Sequence, residues 1–403
     1  MKRRIKKSHF ENINALRFIA FFCIFFSFAV VIDSPNIANV SFYKDLVKFS
    51  INLKTASTSL IFILTGFLNA HAIFEERFVY KQINVLRLYM RRLLAVIPLF
   101  LAVFLVGYFA LPNLNMGVEG QAVSETSKIS YIAFLQNYSM DAEHYMKKST
   151  WNLVGWQIDN FWLIAAQIQA IIILPLLMSF FRRLENVFII LFIALSIGFG
   201  FIWGNNSSAS FNLLFHFSDI ALGVLIAYVS FFKYKLYYKL KSITRRNMGL
   251  FYVAIILWVV LSDKIISLEL GVSESIKLTL SKLVIGCLMA YVVFEQHFCS
   301  TSLIKLSKLK PLNWIGEYSL GLFAWFPLAI LLAEVSIGLI FNSESSLSSF
   351  LLTKLSLSFT YSIILALLSD EFIEKRFHRL RKNYQPIKDL TPSSLKDDAQ
   401  KPA

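Results

Sequence analysis

Charged residues are scarce in this chain. Lys, Arg, Asp and Glu make up 16% of its 403 residues, whereas 56% are hydrophobic, which is unlike the composition of a soluble domain. Cys23, Cys287 and Cys299 have no paired spacing, so the sequence indicates neither a disulfide framework nor a metal site. It also has no Gly-rich phosphate loop, no HExxH and no GxSxG. These absences argue against P-loop, zincin and serine-hydrolase chemistry.

Long apolar runs dominate instead. A helix needs about 20 mostly apolar residues to cross a bilayer. The sequence contains ten such runs, so we predict an all-α polytopic membrane protein with about ten transmembrane helices. The predicted spans lie near residues 13–32, 56–75, 93–111, 161–180, 187–203, 211–231, 248–262, 279–296, 317–341 and 350–373.

Basic residues cluster in alternate connections between these spans. The net charge of +15 could indicate nucleic-acid binding, but this distribution favours a lipid bilayer as the partner and no nucleic acid. With a cytoplasmic N-terminus, 29 of the 40 Lys and Arg lie in inside segments and 8 in outside segments. The positive-inside rule therefore predicts that both termini are cytoplasmic. We assign residues 1–380 to the membrane domain and 381–403 to a polar cytoplasmic tail that we expect to be disordered.

A few ionisable residues within the spans could carry chemistry, because charge inside a bilayer is costly. His216 and Asp219 are three residues apart on one helix face, where a carboxylate could orient the imidazole as a general base. The alternative is an interfacial pair at the water boundary. His71 is a second candidate base, or else a polar residue near the inner headgroups.

Arg91 and Arg92 precede Pro98 at the start of the third span. Adjacent guanidinium groups could bind the phosphates of a cytosolic donor. The alternative is ordinary anchoring of a helix at the cytoplasmic interface.

Seven segments carry a resemblance to the integral-membrane acyltransferase-3 family, which acylates cell-surface carbohydrates. They follow the family's order over nearly the whole chain. The segments are INALRFIAFF (13–22), similar to IDGLRAIAxx; IFILTGFLNA (61–70), similar to FFVLSGFLI; LYMRRLLAVIPLF (88–100), similar to FYxRRxxRIxPLY; FLQNYS (134–139), similar to the LQN segment; FWLIAAQIQAIIILPLL (161–177), similar to WSLxxExQFYLLxPLL; IGEYSLGLFAWFPLAI (315–330), similar to LGxxSLGIYLWHxPL; and FIEKRF (372–377), similar to FIEKPF.

The resemblance implies a membrane acyltransferase that takes an acyl group, expected to be acetyl, from acyl-CoA. It implies delivery to a hydroxyl of a cell-surface or lipid-linked glycan, with glycan-assembly proteins as further partners. Arg17 matches the family's first-span Arg and, with Arg91 and Arg92, is expected to hold the acyl-CoA donor. Glu374 matches the Glu of the closing motif. The implied location is the bacterial cytoplasmic (inner) membrane, with multiple spans.

The sequence departs from the family at its acid and base positions. Phe28, next to Ser27, stands eleven residues after Arg17, where the family has His. The fourth-span Glu is Gln167, and the late His is Phe326 or Trp325, depending on a one-residue gap. The second Arg of the basic motif is Ala95. Phe and Gln cannot act as bases near neutral pH.

Two hypotheses follow from these departures. In the first, the chain is an acyltransferase with a rearranged site, in which His71, or His216 with Asp219, supplies the base. In the second, it is a catalytically silent homologue that acts in glycan export or assembly. An ion-coupled transporter is weaker, because the sequence has no inverted repeat and no paired broken helices.

Overall fold

The computed structural model describes residues 11–31, 40–80, 83–107, 128–138, 162–181, 184–267, 271–299, 302–340 and 347–384. These residues form helices joined by turns and short irregular segments, and they contain no β-strand. The predicted all-α class is confirmed. Most of the tail predicted at 381–403 lies outside the described residues, as does much of the long loop between the third and fourth spans.

Ten helices among the described residues are long and apolar enough to cross a membrane, as the sequence predicts. Their bounds are α1 Glu11–Ala29, α2 Ser41–Tyr80, α3 Val85–Leu105, α4 Trp162–Phe180, α5 Glu185–Trp203, α6 Phe217–Phe232, α7 Arg245–Ile266, α8 Glu274–Phe298, α9 Ser319–Ile340 and α10 Leu347–Ser369. Each matches one predicted span. The orientation of the termini stays a prediction.

Helix α2 is much longer than its predicted span of 56–75. It begins at Ser41, because residues 41–55 are compatible with a helix although they are not continuously apolar. A hydropathy window ends at the charged and polar residues of this segment, whereas the hydrogen-bonded backbone continues through them. Lys54 lies in this additional part of α2.

Two glycines bring α2 and α6 into close contact at the centre of the bundle. A Cβ atom at Gly66 would lie 2.2 Å from the carbonyl oxygen of Ile220. A Cβ atom at Gly223 would lie 2.1 Å from the carbonyl oxygen of Ile63. Small residues let helix backbones approach closely in membranes, where packing rather than hydrophobic burial drives association. Helices α1, α4, α5, α7 and α8 pack against this close pair.

Replacement of Gly223 by valine should therefore destabilise the bundle by about 3 kcal/mol, because the atoms that oppose the new side chain are backbone atoms of α2. Thermal unfolding of the purified protein in detergent measures the effect. The matched control is Gly198→Val in α5, where a Cβ atom meets nothing within 4 Å. An equal loss of stability in both variants would contradict this packing account.

One end of the helix bundle carries most of the basic residues that the structure describes. We call this the basic end; it contains the start of α1, the end of α2, the start of α3 and the segment that follows α10. Here Arg77 of α2 forms an ion pair with Glu185 of α5. At the opposite end, Lys354 of α10 pairs with Glu334 of α9 at 2.7 Å and donates to the carbonyl of Val31. These contacts fix the positions of the helix ends relative to one another.

Candidate functional site

A cavity of about 530 Å³ lies between α1, α2, α3, α4, α9 and the segment that follows α10. Three arginines line it: Arg17, Arg92 and Arg381. We call it the arginine cavity. Gln167 of α4 and Glu374, both at positions singled out by the family resemblance, also line it. The fold thus brings together side chains that are more than 350 residues apart in the sequence.

The helical segment that follows α10 supplies both acidic and basic side chains to the arginine cavity. Helix α10 continues through a π-helical turn, Asp370–Glu374, into the short helix Lys375–Lys382. Asp370, Glu374, His378 and Arg381 all line the cavity from this segment. A π-turn adds a residue to one helical turn and so changes the direction of the side chains that follow; such turns are frequent at functional sites. The turn aims a mixed set of charges into the cavity.

Several polar atoms in the arginine cavity are not used by the protein itself. Arg92 donates to the carbonyl of Leu68 at 3.1 Å, but its buried Nε has no hydrogen-bond partner in the described structure. One buried carboxylate oxygen of Glu374, Oε1, also lacks a partner there. Leu94 and Pro98 of α3 both line the cavity. Because Pro98 has no N–H, it cannot donate the usual helical hydrogen bond to the carbonyl oxygen of Leu94. Buried polar groups are normally paired, so these atoms suit a bound polar ligand.

The two neighbouring arginines of α3 differ in their surroundings. Arg92 lines the arginine cavity, whereas Arg91 is not part of the lining. The guanidinium of Arg91 pairs with Glu76 of α2 at 3.2 Å. Ala95, at the position of the family's second basic residue, lines the cavity without adding charge. Of the three arginines predicted to hold a donor, the structure brings Arg17 and Arg92 together and leaves Arg91 in an ion pair.

A second, much smaller cavity of about 10 Å³ lies nearer the opposite end of the bundle. We call it the aromatic cavity, because Phe28, Trp162 and Phe326 line it. Phe28 stands where the family has His, and Phe326 is one of the two residues that could match the late His; their rings are 5.5 Å apart. Lys54 of α2 lines the same cavity, with its Nζ 5.0 Å from the centroid of the Phe28 ring.

Two residues next to these positions lie elsewhere. The hydroxyl of Ser27 donates to the carbonyl of Ile24 at 2.7 Å and is buried. Trp325 packs into an apolar cluster with residues of α3 and α4. Phe326, rather than Trp325, is therefore the residue that faces Phe28.

The two cavities lie on the same faces of the same helices. On α2, seven residues line one cavity or the other, and five of them are spaced by three and four, which places those five in one row along the helix. The five are Lys54, Thr58, Ile61, Thr65 and Leu68, and the other two are Leu64 and Asn69. On α1, Arg17 lines the first cavity while Ile24 and Phe28 line the second. Phe323 of α9 lines both, so one aromatic side chain stands between them.

His216 and Asp219 lie in a buried polar cluster between α2, α6 and α8. The Nε2 of His216 contacts the carbonyl oxygen of Ser210 at 2.9 Å, and its Nδ1 lies 3.4 Å from Asp219 Oδ2. The same carboxylate oxygen lies 3.6 Å from the Nζ of Lys282 and accepts a hydrogen bond from Ser59 at 3.2 Å. The pair is therefore inside the bundle. It does not line the arginine cavity.

His216 is nonetheless close to the aromatic cavity. Its ring stacks on Phe62 at 4.2 Å and on Trp162 at 5.9 Å, and Trp162 lines that cavity. The indole ring of Trp162 thus lies between the His216 imidazole and the aromatic cavity.

His71 lies at a separate place near the basic end. Its Nδ1 is 3.8 Å from a carboxylate oxygen of Glu75, and its ring packs edge-on against Phe231 at 5.0 Å and near His297 at 6.5 Å. It is buried and lines neither the arginine cavity nor the aromatic cavity. The suggested role of His71, or of His216 with Asp219, as a base stays a prediction.

Several charged or titratable residues of these cavities escaped the sequence analysis, among them Lys54, His378 and Arg381. His378 and Arg381 follow Glu374 by four and seven residues, a helical spacing that would have identified them if the last helix had been extended beyond residue 373. Lys54 was assigned to an outside segment, two residues before a predicted span.

Within the described residues, no group of three or more His, Cys, Asp or Glu side chains is placed to hold a metal ion.

No curated protein and no solved structure matches the chain. Residues 10–369 match the model of one protein family, described as an acyltransferase domain of the acyltransferase-3 type. This match covers nearly the whole chain and includes six of the seven sequence segments; the closing segment FIEKRF, at 372–377, follows it. The chain therefore belongs to the acyltransferase-3 family of membrane proteins.

Proposed function

We propose that this protein transfers an acyl group, acetyl being the simplest, from acyl-CoA to a hydroxyl of a cell-surface or lipid-linked glycan. Family membership supports the reaction class. The observation that carries the proposal is the convergence of Arg17, Arg92, Gln167 and Glu374 on one cavity. Because these residues come from four separate parts of the chain, their convergence points to a shared ligand.

The arginine cavity suits the donor. Phosphate groups of an acyl-CoA need cationic, planar hydrogen-bond donors, and guanidinium groups provide them. Arg17 and Arg92 line the cavity, and neither forms an ion pair with a described carboxylate. The cavity includes residues of the basic end, which the positive-inside rule predicts to be cytoplasmic. We therefore propose that a cytosolic donor enters there, in a protein of the bacterial cytoplasmic membrane.

Acyl transfer to a hydroxyl also needs a group that takes the hydroxyl proton. His216 with Asp219, and His71, are the candidates that the sequence suggests. Gln167 cannot take this proton, but its side-chain amide can donate a hydrogen bond to a carbonyl oxygen on which negative charge develops. Gln167 lies one helical turn from Leu163 and Ile164, which line the aromatic cavity, and we assign it that role where the two cavities approach each other.

A second candidate function is glycan export or assembly without catalysis. The observation that favours it is the loss of proton-accepting side chains at three family positions, now Phe28, Phe326 and Gln167. Phe28 and Phe326 fill their space with apolar rings. A protein that kept the fold for another purpose would tolerate such replacements.

Mass spectrometry of the surface glycan distinguishes the two functions. A strain that lacks the protein is compared with the same strain carrying the wild type or the Arg17→Met variant. If the protein is an acyltransferase, the deletion removes an O-acyl mass while the polymer yield is unchanged, and Arg17→Met does not restore it. Normal acylation with little or no polymer would instead identify an export or assembly protein.

A further inference from the structure

We infer that Lys54 is the general base that takes the proton from the acceptor hydroxyl. This inference rests on the proposed acyltransferase function and assigns a residue that none of the family-derived positions includes. It depends on the location of Lys54, on the surroundings of its amine and on the alignment of the two cavities.

Lys54 is the one titratable side chain among the described residues that line the aromatic cavity. The other lining residues are Ile24, Phe28, Thr58, Trp162, Leu163, Ile164, Phe323 and Phe326. The amine faces the ring of Phe28, at the position where the family has His. With Phe at that position and Phe326 beside it, the lysine is the group that remains to accept a proton.

The pairing of Lys54 differs from that of the other lysines inside the bundle. Lys282 lies 3.6 Å from Asp219, and Lys354 lies 2.7 Å from Glu334. Lys54 has no carboxylate within ion-pair distance among the described residues, and its Nζ lies 5.0 Å from the centroid of the uncharged Phe28 ring. A lysine whose amine is partly withdrawn from water and not paired with a carboxylate can serve as a general base. Lys54 is half-buried and lies apart from the described carboxylates, whereas Lys282 and Lys354 are held in ion pairs with Asp219 and Glu334.

The aromatic cavity is placed where a thioester held from the arginine cavity could reach it. Arg17 and Phe28 are eleven residues apart on one face of α1, which corresponds to about 16 Å along the helix. The nucleotide of an acyl-CoA is joined to its thioester by a long flexible arm, which can span such a distance. Phe323 lies between the cavities and would have to move aside. The aromatic cavity, at about 10 Å³, is near the size needed for one water molecule or one hydroxyl group.

The reaction balances without a further co-reactant. The neutral amine of Lys54 accepts the proton of the acceptor hydroxyl as the oxygen forms a bond to the acyl carbon of the thioester. The carbon–sulfur bond breaks, and its electron pair leaves with the sulfur. The lysine then returns the proton to the thiolate, directly or through water. The products are the O-acyl glycan and the free thiol of coenzyme A, and the lysine is again neutral.

The test compares Lys54→Met, Lys54→Arg and Lys54→His in the full-length protein, reconstituted with acetyl-CoA and lipid-linked glycan from the same cells. Arginine keeps the charge but cannot lose its proton, whereas histidine can. We expect Met and Arg to lower the transfer rate at least about 100-fold, and His to keep measurable transfer. Because imidazole has an ordinary pKa of about 6.5, against about 10.4 for lysine, the acidic limb of the pH profile should move to lower pH in Lys54→His.

Binding of acetyl-CoA alone provides the structural control. Its Kd should change less than twofold in Lys54→Met, because Lys54 does not line the arginine cavity. A wild-type transfer rate in Lys54→Arg would overturn the inference and leave the proposed function intact. The same conclusion would follow if a His216→Gln variant lost transfer while the Lys54 variants kept it. Loss of acetyl-CoA binding in Lys54→Met would also overturn it. If the wild-type protein transfers no acetyl group, the proposed function fails and this inference fails with it.

Discussion

Replacement of Arg92 by methionine should weaken the binding of acetyl-CoA about 30- to 150-fold, since a hydrogen bond to a charged group is worth about 2 to 3 kcal/mol when it is buried. The guanidinium of Arg92 lines the arginine cavity, and its Nε has no partner in the described structure. Methionine keeps much of the length and apolar surface of the side chain while it removes the charge. Isothermal titration of the detergent-purified protein with acetyl-CoA measures the change.

The chain offers a closely matched control for this variant. Arg91 precedes Arg92 on the same helix, but it pairs with Glu76 and is not part of the cavity lining. Arg91→Met should therefore change the affinity for acetyl-CoA less than threefold. Equal losses in the two variants would mean that the general positive charge of the basic end, rather than the arginine cavity, attracts the donor.

Replacement of Asp219 by asparagine should destabilise the protein by about 3–5 kcal/mol, because it leaves the Lys282 ammonium buried without its carboxylate. The same change weakens the contacts of that carboxylate with Ser59 and His216. Thermal unfolding in detergent should show a clear fall in the midpoint. Lys282→Met alone should also destabilise, since it leaves Asp219 as the uncompensated charge.

The double variant Asp219→Asn with Lys282→Met separates the loss of an ion pair from the loss of individual contacts. It removes both charges, so it should recover at least half of the stability that either single change loses. Additive losses in the double variant would contradict the ion-pair account. If Asp219→Asn folds as well as the wild type but no longer transfers an acyl group, the result would favour the predicted base role of His216 and Asp219.

The transmembrane organisation could be predicted from sequence because the apolar runs and basic loops report directly on the bilayer. Family motifs likewise marked Arg17, Gln167 and Glu374, which meet in the arginine cavity. The motifs do not indicate how each helix is rotated about its own axis. Arg91 and Arg92 look equivalent in sequence, yet a rotation of about 100° between adjacent helical residues directs one towards Glu76 and the other into the cavity.

Lys54 and Arg381 escaped prediction for a related reason. A hydropathy window detects where apolar residues end, whereas a helix ends where its backbone hydrogen bonds end. Helix α2 continues fifteen residues before its predicted span, and the last helix continues through a π-turn whose change of register has no clear sequence signal. Both residues lie in these continuations, so only the three-dimensional arrangement assigns them to the cavities.

The most direct test of the central claim is transfer of a labelled acetyl group by the purified protein. The protein is reconstituted in vesicles and incubated with [¹⁴C]acetyl-CoA and lipid-linked glycan from the same cells, with Arg92→Met as the control. The account predicts label in the glycan fraction that mild alkali releases as acetate, and at least about tenfold less label with Arg92→Met at donor concentrations at or below the Kd of the wild-type protein. Absence of label with the wild-type protein, under conditions where it binds acetyl-CoA or supports glycan export, would contradict the account.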